Sequence, residues 1–424
     1  MLLAAGGMTS CGDDDTPIKP NYNPPTSNTD QPSNTENNDD NYDDIVLGTG
    51  GLKTFLNHKK YPNFKVSAAL DVNEFHNNKN GLRDIIKDNF EEIVAGNAMK
   101  YSSCVNDNGD MDFSRVKQFV SDARGAGVSI FGHTLAWHSQ QRPKYLLTLD
   151  KDELVAAMER WIAGSMEATD GYVKAWDVVN EPISGNDVDG DGIFELQSTK
   201  VNNQDDATNV NKNVFYWQEY MGDLEYVRNA VMFARQNFKG NPEDLKLFVN
   251  DYNLESEWDD NKKLKSLIKW IEKWEADGVT KIDGIGTQMH VSCFEDDAIQ
   301  KKIEEHIVKM FQLMAATGKL VRISELDMGY IRGSQRWNVP SVQTPNMTEA
   351  EHKKMADFYQ FIVKKYLEII PKDQQYGICQ WCLTDAPAEP SYVWRRGEPV
   401  GLWTENFAER KVTYDGFAAG LSEQ

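Results

Sequence analysis

"VKAWDVVNEP", residues 173–182, is a run of apolar side chains that stops on Asn180 and Glu181. Apolar runs of this length, bounded by turn residues, form strands buried on both faces, and such strands belong to parallel sheets. Seven further runs have the same character: 64–70, 90–96, 128–133, 245–250, 281–288, 319–326 and 376–381. Amphipathic stretches separate them, at 151–168, 219–238, 260–276, 297–317 and 348–370, with apolar residues three and four apart. Strand alternating with helix makes neighbouring strands parallel, and eight such units close a (β/α)8 barrel, an α/β fold of TIM-barrel type.

The architecture gives the polar strand ends a meaning. In a (β/α)8 barrel, the C-terminal ends of the strands and the loops that follow them build the active site. Asn97 follows one run and His133 another; then come Asn180 with Glu181, Asn250, Gln288 with His290, Glu325, and Trp381. One such ending is ordinary punctuation, but seven converge on one rim. Two carboxylates among imidazoles, amides and indoles (Trp381, Trp394, Trp403) suit cleavage of a glycosidic bond. One carboxyl protonates the leaving oxygen while the other meets the charge at the anomeric carbon. A metal site built on His133, His138 and His290 would call for clustered ligands at short spacing and no aromatic platforms.

Composition narrows the field further. A net charge of −21 and a share of only 45 Lys and Arg against 66 Asp and Glu argue against a nucleic-acid partner, which needs clustered cations. Cys379 and Cys382 form a CxxC, but both fall in or beside a strand run, where buried free thiols are expected rather than a redox or zinc pair.

"FGHTLAWHSQ", "WDVVNEPIS", "LFVNDYNLE", "GIGTQMHV" and "VRISELDM" together resemble the motif set of glycoside hydrolase family 10, the endo-β-1,4-xylanases, in the family's order and over about residues 55–420. The resemblance implies a retaining endo-1,4-β-xylanase working through a covalent glycosyl-enzyme. Glu181 would be its acid/base and Glu325 its nucleophile, with carboxyl groups roughly 5 Å apart. It implies support from Asn180, at the sugar 2-hydroxyl, and from His290. It places Asn97, Lys100, His133, Trp137, Gln288, Trp381 and Trp394 on the sugar, with Asn250 and Tyr252 supporting the site or reaching the leaving-group side. Xylan or its oligosaccharides would be the partner of a monomer that needs no cofactor. A β-1,4-glucanase of the same fold, or a surface glycan-binding protein without turnover, are the alternative readings. The chain departs from the family at "GNAMKY", 96–101, where Gly96 stands in place of a sugar-gripping Glu. It departs again in an insertion at about 183–213. There Asp187, Asp189 and Asp191 have the spacing of half a calcium loop, although Ser198 occupies the position where a bidentate Glu is expected.

The first fifty residues concern address. "MLLAAGGMTSCGDDD" resembles the end of a bacterial lipoprotein signal (1–11) with Cys11 as the lipidated residue, though a basic leading segment is missing. Residues 12–50 are rich in Asn, Asp, Pro, Thr and Ser and read as a disordered tether. The expectation is an exported, cell-surface lipoprotein whose catalytic domain spans 51–424, anchored only through lipid.

Overall fold

A computed structural model describes residues 50–335 and 339–422. The signal, Cys11 and the tether, apart from Gly50, lie outside the described residues. Among the described residues nine strands form: β1 (Lys65–Leu70), β2 (Glu92–Ala95), β3 (Ser129–Gly132), β4 (Ala175–Asn180), β5 (Lys246–Asp251), β6 (Gly284–Thr287), β7 (His290–Phe294), β8 (Leu320–Ile331) and β9 (Gln375–Gln380). All pair in parallel, in the order β6-β5-β4-β3-β2-β1-β9-β8, and β6 pairs back to β8 to close the barrel. Each of the eight apolar runs holds one of the barrel strands. β7 is the ninth strand, and it lies along the outer half of β8, His290 opposite Asp327 and Phe294 opposite Ile331. β8 therefore runs well past the rim, so Glu325 sits midway along a strand rather than at its end.

Helices cover the outside of the sheet, and their starts are written in the sequence. Asp150 caps Lys151–Thr169 in a reciprocal pair with Glu153, and Thr348 does the same with Glu351 for Glu349–Ile369. Asp296 accepts from Ala298 and Ile299 at the head of Asp297–Ala315. The larger apolar core fills the layer between strands and helices, while a smaller one fills the barrel. Inside, the rings of Phe131, Phe248 and Tyr376 meet edge to face at 5.0–5.5 Å. Charge is also buried there: Glu92 takes Lys65 at 2.7 Å and the Tyr376 hydroxyl at 2.9 Å, and the Arg322 guanidinium lies 3.8 Å above Phe131.

Cys104, Cys293, Cys379 and Cys382 are buried free thiols. Cys379 and Cys382 do not point to opposite faces, as alternation along one strand would have it. β9 ends at Gln380, and both thiols join the inner core. Trp403 also departs from its expected place, since it packs on Phe90, Phe407 and Tyr414 in the outer layer and not in the cleft.

The insertion packs on the helix Lys262–Glu275. The Trp270 indole donates to the Phe194 carbonyl at 2.9 Å, and the Phe194 amide donates to Ser266 Oγ at 2.9 Å. Of the three aspartates expected to ligate calcium, Asp187 accepts Lys262 Nζ at 2.6 Å, and Asp191 accepts the Ile193 amide at 2.7 Å within its own turn. Among the described residues, the group close enough for an ion is Asp187, Asp189 and Glu195, without Asp191. Glu195 in turn is taken up by the amides of Val188 and Asp189. That group keeps two of the three expected aspartates and has Glu195 in place of Asp191, with an ammonium on Asp187 and backbone amides on Glu195.

Candidate active site

β4 ends by turning Glu181 into the left-handed region, φ 52°, a conformation that a side chain other than Gly or Asn adopts at a cost. The turn is held by the Glu181 amide, which donates to the Asn250 carbonyl at 2.7 Å. It delivers a buried carboxylate to two donors, Trp137 Nε1 at 2.9 Å and Gln288 Nε2 at 2.6 Å, one on each oxygen. Neither donor is a full charge.

Glu325 is surrounded differently. Asn250 Nδ2 donates to one oxygen at 2.9 Å, and His290 Nε2 lies 3.3 Å from the other. Burial pushes this carboxyl up, but the His290 hydrogen bond and the positive charges around it, Lys100 among them, outweigh burial and hold it below the usual carboxylate range. His290 is itself fixed from behind, Nδ1 to Asp327 Oδ2 at 2.9 Å. Burial alone would lower its pKa; the Asp327 charge and the bonds to both carboxylates raise it from an ordinary 6.5 to about 10. Both ring nitrogens are then donors at neutral pH. Asp327 also receives Arg395 Nη1 at 2.9 Å and the Trp394 indole at 2.8 Å. Burial pushes it up, but the His290 charge first, then Arg395 and the bonds from His290 and Trp394, bring it down to about 2.

The Asn250 side chain ties Glu325 to Asn180. Its side-chain nitrogen donates to Asn180 Oδ1 and to Glu325, both at 2.9 Å, while its oxygen accepts the Ser324 hydroxyl at 2.6 Å. Space for it comes from β6: a Cβ on Gly286 would fall 2.5 Å from Asn250 Oδ1. Asn180 Nδ2 is buried and has no hydrogen-bond partner among the described residues. A buried donor left open costs free energy unless a ligand takes it.

The remaining expected residues gather round this centre. His133 Nδ1 bonds Asp177 at 2.8 Å, and its ring meets Trp381 edge-on at 5.7 Å. Lys100 is buried with its ammonium 4.9 Å from the Trp137 ring. Trp394 stands edge-on to His290 at 4.8 Å, and Asn97 and Trp381 line one cavity with it. Tyr252 lies further out, beneath the Lys263 ammonium and bonded through its hydroxyl to Gln197 of the insertion at 3.3 Å. His138 is neutral, since burial pushes it down to about 3, and it stacks on Tyr216 at 5.5 Å. Sequence reasoning missed Asp177, Asp327 and Arg395. Asp327 did carry a signal: it stands two residues beyond Glu325 and so on the same face of one strand.

Residues 55–419 match the sequence model of glycosyl hydrolase family 10. The chain belongs to that family. Among its relatives is an endo-β-1,4-xylanase, Xyn10C of Cellvibrio japonicus, 28% identical over 335 residues that make up 78% of this chain and 48% of the relative. The endo-1,4-β-xylanase A of Thermotoga maritima is 31% identical over 341 residues, 78% of this chain and 27% of the relative. The family 10 barrel thus spans less than half the length of either. In structure, a Cellvibrio japonicus xylanase 10C variant in complex with xylopentaose aligns with a TM-score of 0.69 at 24% identity, covering 88% of this chain and 69% of that one. At that identity the likeness speaks for the family 10 fold alone.

Proposed function

We propose that this family 10 chain is a retaining endo-1,4-β-xylanase. Glu325 is the nucleophile and Glu181 the acid/base. The observation that carries the reading is the unequal setting of two buried carboxylates on one rim. Glu325, held ionised by His290, is suited to attack the anomeric carbon and form the glycosyl-enzyme. Glu181, met by the neutral Trp137 and Gln288 donors, is suited to hand a proton to the leaving oxygen and then to take one from the attacking water. The open Asn180 donor is placed for a sugar hydroxyl beside the reacting carbon, where a bond that tightens in the transition state adds to rate. Lys100, His133, Trp137, Gln288, Asn97, Trp381 and Trp394 bind the xylan chain, and no step calls for a cofactor.

The test is hydrolysis of linear xylan, arabinoxylan, glucuronoxylan and a mixed-linkage β-glucan by the purified protein beside a Glu325→Ala variant. Xylo-oligosaccharides from the parent protein, absent with the variant, are expected. Turnover of the glucan alone would assign a glucanase, and binding without products would assign a glycan-binding protein.

A further inference from the structure

The turn that carries Glu181 offers few handles. Glu181 is held at φ 52°, and Pro182 after it has no N–H, so from Glu181 onward the first two amides are its own and that of Ile183. Both go to the end of β5. The Glu181 amide donates to the Asn250 carbonyl at 2.7 Å, and the Ile183 amide donates to Asp251 Oδ2 at 3.0 Å. The strained residue is thus bracketed by two consecutive residues of one neighbouring strand.

Asp251 faces the other way from Asn250, as alternation along a strand requires. Asn250 turns inward to Glu325 and Asn180, whereas the buried Asp251 turns to the helix Lys262–Glu275. There the Lys263 ammonium lies 2.8 Å from Asp251 Oδ1, and the Tyr252 amide donates to the same oxygen at 2.9 Å. These two contacts fix the rotation of the carboxylate and aim Oδ2 at Ile183. Lys263 is buried as well, with its ammonium 3.2 Å from the centre of the Tyr252 ring. A buried ion pair adds little stability by itself, because desolvation of both charges offsets their attraction. It suits positioning better, since an ionised carboxylate is a stronger and more directional acceptor for an amide than a neutral oxygen. Resting on the xylanase reading above, we propose that Asp251 and Lys263 are positioning residues for the acid/base. The ammonium fixes Asp251, Asp251 holds the Ile183 amide, and that bond keeps Glu181 in its left-handed turn with its carboxyl at the leaving oxygen. Releasing Ile183 would let the turn relax and carry the carboxyl away, whereas Glu325, held by Asn250 and His290, would stay in place.

The experiment uses two double variants of the full chain, neither of which leaves a charge alone in the interior. Asp251→Asn with Lys263→Met keeps an oxygen for the Ile183 amide, and Asp251→Ala with Lys263→Met removes it. kcat/KM is measured on xylan, whose leaving sugar needs a proton, and on an aryl xyloside whose leaving group needs none. The alanine pair should lose roughly 10²-fold on xylan, the cost of a misplaced catalytic group, and keep the parent's value on the aryl xyloside. The asparagine pair should recover most of the loss on xylan. Should the alanine pair show no cooperative melt, Asp251→Ser with Lys263→Met, whose hydroxyl stops short of the amide, takes its place. Equal losses on both substrates, full xylan hydrolysis by a folded variant without the acceptor, or an asparagine pair no better than the alanine pair would overturn the positioning role and leave the xylanase reading standing. No product from xylan with the parent protein would overturn that reading and the role with it.

Discussion

The centre of the site is a run of alternating charges, Glu325, His290, Asp327 and Arg395, and its pH behaviour follows from the signs. His290, raised to about 10, contributes stability that is complete below its ordinary 6.5 and is lost as pH climbs through 10. Asp327, lowered to about 2, contributes stability that is complete above its ordinary 3.8 and is lost as pH falls through 2. Unfolding free energy from this cluster should therefore peak between about pH 4 and 6.5 and decline on both sides, as denaturant titrations across pH would show. Asp327→Asn removes the charge that raises His290, so its pKa should fall and the basic limb of kcat/KM should move to lower pH. An unshifted limb would mean that His290 does not control it. Glu181→Ala should cut kcat/KM on xylan by roughly 10²–10⁴ yet spare kcat/KM on an aryl xyloside whose leaving group needs no proton, since general acid catalysis contributes only where protonation is required; kcat falls on both, because Glu181 is also the base for the second step. Comparing the two substrates separates this role from loss of fold. Glu181 and Glu325 were legible because each interrupts an apolar run with a charge. Arg395 was not, because it comes from an irregular loop whose approach to β8 is set only by the closed barrel.

At the scale of elements, periodicity located all eight barrel strands. It missed β7 because "MHVSCF" follows directly on a strand end, and only pairing with an overlong β8 makes it extended. Local pattern cannot state a partner more than thirty residues away. Helix contacts are similarly invisible. In the helix Val412–Ser422, Gly416 lies so near the helix Glu349–Ile369 that a Cβ would come 2.1 Å from the Ala356 carbonyl oxygen. Gly416→Ala, which ordinarily favours a helix, should here cost about 1–3 kcal/mol by forcing the two apart. Asp150→Ala, which removes a cap, should cost about 1 kcal/mol. Thermal unfolding of both variants checks the pair, and a stabilised Gly416→Ala would refute the close packing.

For the molecule as a whole, the last described helix is bound to the first described residues. The Tyr414 hydroxyl donates to Asn89 Oδ1 at 2.7 Å, and the same oxygen accepts the Leu52 amide at 3.1 Å. Arg410 donates to the Gly50 carbonyl at 3.2 Å. Ending the chain after Lys411 would bare Phe417, Leu421 and their partners, and loss of the cooperative thermal transition is expected, measured by circular dichroism. A truncated chain that still melts sharply would show the barrel to be complete without its last helix. Closure itself is long-range, because β1 pairs with β9, Lys65 opposite Gly377, more than 300 residues later. At the 5–20 residues per second of synthesis, the first strand waits on the order of 15–60 s for its final neighbour to exist. Throughout that interval the chain has an unfinished sheet edge and can still be threaded or captured by a chaperone, so the fold acts as a clock that delays commitment until nearly all of the chain has been made.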